Sequence, residues 1–424
     1  FKPWDAWNYH HMQGWRNLLQ GDLKQASFHI ELAFKFSEDV GAFLSMISCH
    51  SMKANLMHRL GKEREAEEHL GHAFNIADQV KSRFFLFCGL LIKALFALDR
   101  GDEMSAESSL RKALLLGKEE RYFYTGINQP SGLARLCVKA LEAGIEVEYV
   151  QELIRKLNVV PLKPAFLLEN WPWPLKIFSL GRFELLKDGK PIQFARKVQQ
   201  KPLAMLKALV AFGGKKVRED QMVDALWPES DGDMAHQSFE TTLHRLRQLT
   251  GIPDAIIRKE GSLTLDQRYW WVDTWAFEHL VREVDAAWRK EEKEISLEEA
   301  VSLNEKAIGL YQGTFLPKET LEPWADSVRE RLRNKFLRCV ERLGHHWEAS
   351  GEWEKAVECY EQGLEADDLI EEFYQHLMIC FQKLGQVTKA LSVYKRCKKT
   401  ISAGLGVSLS SRTEAIYRAL IMNR

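Results

Sequence analysis

Three glycines, Gly21, Gly61 and Gly101, stand 40 residues apart, and the residues behind them keep the same step. Ala26, Ala66 and Ala106 lie five residues on, Ile30, Leu70 and Leu110 nine, and Ala33, Ala73 and Ala113 twelve. A period of this length marks a stacked helical repeat, in which each unit buries its apolar face only against its neighbours. Glycine makes the turn, the small residues let two antiparallel helices approach, and the large one fills the gap to the next pair. Gly14, Ala54 and Ala94 hold the matching small position of the preceding helix, and a fourth, degenerate unit is expected over residues 122–157.

This pattern resembles the second helix of tetratricopeptide (TPR) units, in the longer form of the sensor arrays of MalT-like regulators. The usual terminal proline of each unit is missing. The resemblance implies a sensor domain over residues 1–157 that binds a small-molecule inducer or a partner protein as effector. Aromatic residues are dense here, but packing between helices accounts for most of them, so no effector residue is assigned. His10 and His11, being adjacent, point different ways from a helix and have no carboxylate or cysteine at ligand spacing. No metal or cofactor is expected.

Residues 158–174 carry four of the chain's 12 prolines, interleaved with Trp171 and Trp173. Proline removes a donor and fixes φ, so helix propagation stops and the segment reads as a docked, semi-rigid linker.

The next module, residues 175–272, turns on residues 233–249, ended by Thr250 and Gly251. Phe239, Leu243 and Leu246 fall at i, i+4 and i+7 and predict one narrow buried stripe of a helix. The opposite face then carries Gln237, Thr241, His244 and Gln248, with Arg245 beside them and no carboxylate among the five. Amide, hydroxyl, imidazole and guanidinium groups pair with base edges in a major groove. Upstream, residues 217–227 read as a shorter helix with Val217, Met222, Val223, Leu226 and Trp227 apolar, closed by Pro228. Downstream, residues 255–265 read as two short strands around a turn at Glu260-Gly261-Ser262, a wing. Ahead of all three, residues 175–180, 182–186 and 191–194 predict short antiparallel strands. Residues 200–212 predict a helix with Leu203, Leu206, Leu209 and Val210 inward, stopped by Gly213-Gly214.

Charge is local. The whole chain balances 59 Lys and Arg against 59 Asp and Glu, while residues 175–272 hold 16 against 12. Arg196, Lys197 and Lys201 precede the first helix of this module, Lys215, Lys216 and Arg218 the second, and Arg258 and Lys259 lie on the wing. Cations beside helix N-termini, where free N–H groups also point, suit phosphate contacts.

Strands, three helices and a hairpin resemble the winged helix of OmpR-type response regulators. The match is closer to the Streptomyces antibiotic regulatory proteins (SARP family), carried by residues 178–183 (FSLGRF), Arg196-Lys197, residues 220–228 (DQMVDALWP), 243–247 (LHRLR) and 261–265 (GSLTL). That family commonly has Gly-Tyr in the wing where this chain has Gly261-Ser262. Residues 273–424 continue the resemblance into a bacterial transcriptional activation domain (BTAD). Asp273-Thr274 suits a helix cap, Ser296-Leu-Glu-Glu a capping box, and residues 310–317 with Trp324 and 329–332 (RERL) the domain's signature loop and helix. Gly351 and Gly385, Ala356 and Ala390, and Tyr360 and Tyr394 are each 34 apart, the TPR period. Gly344, Trp347, Leu377 and Phe381 serve the first helices, and residues 412–422 predict a closing helix after a break at 404–409. His345-His346 read as surface or packing residues.

The expected fold is mostly α, two TPR-like arrays flanking an α+β OmpR-type winged helix. The resemblance implies a sequence-specific transcriptional regulator, an activator in this family, binding double-stranded DNA at promoter repeats as a homodimer and contacting RNA polymerase. The alternative is a TPR-type protein-interaction scaffold without base readout. None of the P-loop, Gly-x-Ser-x-Gly, His-Glu-x-x-His or Gly-x-Gly-x-x-Gly motifs occurs, so an enzyme is not expected. No run of about 18 apolar residues offers a membrane span. Seven dispersed cysteines suit reduced thiols in a bacterial cytoplasm, with association to the nucleoid when DNA is bound. The chain starts at Phe1 without a signal-peptide layout, and a fragment of a longer protein is expected, its missing part of the nucleotide-hydrolysing type seen before MalT-like arrays.

Overall fold

The computed structural model describes residues 2–126, 130–160, 168–192, 200–289, 296–319 and 322–422. The chain divides into two compact units, Phe1–Pro172 and Trp173–Arg424.

In the first unit the described residues form eight helices: α1 (Pro3–Gln20), α2 (Leu23–Val40), α3 (Phe43–Arg59), α4 (Glu63–Gln79), α5 (Arg83–Asp99), α6 (Glu103–Glu120), α7 (Pro130–Glu142) and α8 (Val147–Leu157). They pair in sequence, so the 40-residue period is one helical hairpin. Gly21 closes α1 at φ +81°, a backbone that a side chain would strain, and Asp22 then caps α2 by accepting from the Gln25 N–H at 3.0 Å. Asp102 repeats the cap on the Ser105 N–H, also at 3.0 Å. Ala26, Ala66 and Ala106 are fully buried, as are Ala54 and Ala94. At Gly14 an added Cβ would lie 2.7 Å from the Met52 sulfur, which is why the smallest residue stands there. Trp171 is buried in this unit, and the Asn170 side chain donates to the Leu141 carbonyl at 3.1 Å. The rest of the linker, residues 161–167, lies outside the described residues.

The second unit opens with β1 (Leu175–Phe178), β2 (Glu184–Lys187) and β3 (Lys190–Pro191), then α9 (Gln200–Ala211), β4 (Val217–Arg218), α10 (Glu219–Leu226) and α11 (Gly232–Thr250). It continues through β5 (Ile256–Lys259), β6 (Ser262–Leu265) and β7 (Trp270–Val272). One sheet has the order β3-β2-β1-β7 and the other β4-β6-β5. β7 runs parallel to β1, with Leu175 opposite Trp270 and Ile177 opposite Val272. A parallel pair needs a long crossover, and here the helices and wing together are the crossover. Trp270 and Trp271 are buried, and the Trp270 indole donates to the Ala255 carbonyl at 2.8 Å.

Among the described residues seven more helices follow: α12 (Asp273–Trp288), α13 (Leu297–Leu310), α14 (Pro323–Ala349), α15 (Trp353–Ala366), α16 (Glu371–Lys383), α17 (Val387–Leu405) and α18 (Ser411–Met422). Ser296 caps α13 through the Glu299 N–H at 3.1 Å. At Gly344 a Cβ would meet the Tyr360 ring at 2.4 Å, so the 34-residue repeat also closes on a glycine under an aromatic ring.

Three local expectations need correction. Val217 does not open a helix. With the exposed Arg218 it forms β4, and Val217 is buried by pairing with Leu263 of the wing. The strand expected at 191–194 is Lys190–Pro191 as far as it is described, with Phe194 outside the described residues. Asp273 does not cap α12 but is its first residue, with Val272 as the cap. Its carboxylate accepts from the Ser179 hydroxyl at 2.6 Å, the Leu180 N–H at 2.8 Å and the Thr274 N–H at 2.8 Å, tying β1 to α12. Burial pushes this carboxyl above its usual range against the pull of those donors.

All seven cysteines are buried and free. Among the described residues, no helix is long and apolar enough to cross a membrane.

Candidate nucleic-acid interface

α11 starts where Asp231 accepts from the Gly232 N–H at 3.0 Å and stops at Gly251, φ +66°. Ala235, Phe239, Thr242, Leu243 and Leu246 are buried, and this stripe seats the helix. Gln237, Thr241, His244, Arg245 and Gln248 are all exposed, along one face about 16 Å long at 1.5 Å per residue. The Thr241 hydroxyl donates back to the Gln237 carbonyl at 3.0 Å, and Gln248 and His244 share a 3.0 Å hydrogen bond, bonds that base edges can exchange for their own. Arg245 has no partner among the described residues.

Beside this face stands an ion-pair cluster that the sequence did not announce. Arg258, on β5, donates from Nε and one terminal nitrogen to the two carboxylate oxygens of Glu219, both at 2.6 Å. Its terminal nitrogens also reach Glu240 of α11 at 2.7 and 3.0 Å. Those hydrogen bonds, to Glu219 first, raise the Arg258 pKa still further, so the guanidinium keeps its charge. Glu219 begins α10, and its own N–H donates to the Gly261 carbonyl in the wing turn at 3.0 Å. α10, α11 and the wing are thus fastened at one guanidinium. This corrects the expectation for Arg258: its donors are spent on two carboxylates rather than held out to phosphate. No spacing rule finds the cluster, because its partners are 39 and 18 residues apart.

The other expected phosphate contacts divide. Lys215 and Lys216 are exposed just before β4, and Lys216, at φ +48°, donates its N–H to the Thr264 hydroxyl at 2.9 Å. Arg218 pairs with Asp220 at 3.0 Å and Lys259 lies 3.5 Å from Glu260, all four well exposed. Such pairs contribute about 0–1 kcal/mol and yield readily to a phosphate. Lys201 donates to the Leu226 carbonyl at 2.9 Å and lies over the Trp227 ring, so it joins α9 to α10. Arg196 and Lys197 lie outside the described residues. The wing turn is the two-residue Glu260-Gly261, both at positive φ, with Ser262 already in β6.

The signature loop packs against the winged module. Leu180 bridges to Phe315, a Cβ on Gly181 would fall 2.3 Å from the Gln312 carbonyl oxygen, and Lys207 pairs with Glu319. Arg329 holds the loop by donating to the carbonyls of Phe315, Leu316 and Glu319 at 3.0, 3.1 and 2.6 Å.

The histidine pairs serve packing. His10 meets His29 at 2.9 Å, His11 accepts from the Trp15 indole at 3.3 Å, and His345 meets His376 at 3.3 Å. Among the described residues no group of three or more His, Cys, Asp or Glu side chains is placed to hold a metal ion.

Residues 272–421 match the family described as bacterial transcriptional activator domain. Over 247 residues, 56% of this chain, the sequence is 26% identical to the regulatory protein AfsR of Streptomyces griseus, and the match spans 23% of that longer protein. Among solved structures, EmbR of Mycobacterium tuberculosis, in complex with a low-affinity phosphopeptide, is 19% identical, with 59% of this chain and 66% of that chain covered at a TM-score of 0.46. The TPR domain of P58(IPK) is 12% identical, with 99% of each chain covered at a TM-score of 0.24.

Proposed function

We propose that this chain, which carries a bacterial transcriptional activator domain and resembles the SARP-type regulators, is a sequence-specific DNA-binding activator. α11 enters the major groove, with Gln237, Thr241, His244, Arg245 and Gln248 meeting base edges. Lys215, Lys216, Arg218 and Lys259 take the phosphates. Two copies bind repeated promoter half-sites in the cytoplasm, the array from α12 onward engages RNA polymerase, and the array from α1 to α8 senses an effector.

The observation that carries this reading is the exposed polar face of α11 formed by Gln237, Thr241, His244, Arg245 and Gln248, with the neighbouring Glu240 held to the wing by Arg258. A solvated helix face needs no such fastening, whereas groove entry needs helix and wing at a fixed separation.

Fluorescence anisotropy of the full chain on duplex DNA selected from a genomic fragment pool tests it. Each bound copy that neutralises four phosphates contributes about −4 to the slope of log K against log salt. A protein-interaction scaffold has no reason to show it. A flat salt dependence, with selected and random duplex bound alike, rejects the proposal in favour of the scaffold.

A further inference from the structure

Side chains from α1, α3 and α5, the first helices of three successive units, border a cleft of about 640 Å³ in the first array. That lies within the range of about 300–1,000 Å³ typical of small-ligand sites. α1 supplies Trp15, Arg16 and Leu19, α3 supplies Ile47 with the hydroxyls of Ser48 and Ser51, and α5 supplies Phe84, Phe85 and Ile92. Tyr124, in the segment after α6, stands at the rim and stacks on Phe84 with centroids 6.0 Å apart and planes 22° from parallel. The walls are thus mainly aromatic and aliphatic, with polar groups from His11, Arg16, Gln20, the two serines and the Tyr124 hydroxyl.

Charge decides the ligand class. The lining includes one arginine and no carboxylate. Arg16 is exposed and pairs with no carboxylate among the described residues, unlike Arg100 at a second, smaller cleft, whose guanidinium already meets Glu63 and Glu67 at 3.0 and 3.3 Å. His11 adds no charge at neutral pH, because it accepts from the Trp15 indole and burial holds its pKa down to about 4. A guanidinium with no carboxylate partner, in a cleft walled by aromatic and aliphatic groups, complements an acid group on an apolar body.

We propose that this cleft is the array's effector site and takes a small amphipathic organic acid, its aromatic or branched apolar part between Trp15, Phe84 and Phe85 and its acid group on Arg16. The assignment rests on the sensor half of the function proposed above and names its site and ligand class. It is tested without DNA, so its failure leaves the groove reading untouched.

The probes are anilinonaphthalene sulfonate, an aromatic acid, and phenylnaphthylamine, the same rings without the acid, titrated by fluorescence into the full chain. Saturable one-to-one binding of the sulfonate is expected. Arg16→Gln, at an exposed side chain, weakens the sulfonate about tenfold and the uncharged probe less than about twofold, as expected for one lost charge-assisted contact. Ser51→Phe, which fills the cleft, weakens both. The proposal is overturned if neither probe saturates, as for a site shaped to an extended peptide, if Arg16→Gln affects both probes equally, or if Ser51→Phe leaves both unchanged.

Discussion

Arg258 and Glu219 meet through two parallel hydrogen bonds of 2.6 Å, joining the wing to the first residue of α10. Glu219 is nearly buried and Arg258 about a third exposed, so the pair is neither a surface ornament nor a fully desolvated one. Removing the guanidinium leaves a carboxylate with little water.

Arg258→Gln is therefore expected to cost about 1–3 kcal/mol, lowering the melting temperature of the second unit in a thermal scan. Adding Glu219→Gln should recover part of the loss, since the stranded charge is gone. A double variant no better than the single one would mean that the cost arises elsewhere.

Arg245→Ala and Gln248→Ala should leave the melting temperature unchanged, because both side chains are exposed. Base preference should change instead, by about 1–3 kcal/mol per lost contact in a competition series of single-base operator variants. Unaltered discrimination across that series excludes these two residues from readout.

Replacing Lys215 and Lys216 together by Ala should weaken binding to every duplex alike and reduce the salt slope by about one or two units. An effect confined to one operator would contradict phosphate contact.

The first array should be acid-sensitive. Burial holds His11 at about 4 and His50 at about 4, with His69, His72 and Lys53 adding to burial at His50, against 6.5 for a free imidazole. A folded-state value below the unfolded one means that the unfolded chain takes up protons first. Stability from these groups is thus complete above 6.5 and drains as pH falls towards 4. His58 runs the other way: burial lowers it, but bonds to Asp99 and Glu63 win and raise it, so its contribution is present below 6.5 and lost as pH rises. Burial lowers His10 and His69 as well, so the four lowered histidines should dominate, giving a falling melting temperature between about pH 7 and about pH 5 that His50→Gln partly flattens. A melting temperature constant over that range would contradict it.

The helical architecture was legible because periodicity is a local signal. The glycine period marks the turns after α1, α3 and α5, and Phe239, Leu243 and Leu246 placed the buried side of α11, hence the exposed side by difference. What escaped depends on pairing across the chain. Val217 looks helical until Leu263 arrives beside it, Asp273 looks like a cap until Ser179 claims it, and Arg258 looks like a phosphate ligand until Glu219 and Glu240 converge on it. Those partners lie tens of residues away, where spacing rules carry no information.

Because β7 lies alongside β1 and α12 continues from it without a break, the winged module is entered and left through the same pair of strands. It is a closed loop riveted at its base, with a stiff elbow rather than a leash leading to the downstream array. On the proposed reading, the azimuth at which that array faces polymerase is dictated by the duplex itself. Sliding the operator by half a helical turn, about 5 base pairs, swings the array to the opposite side of the promoter, whereas a full turn restores it.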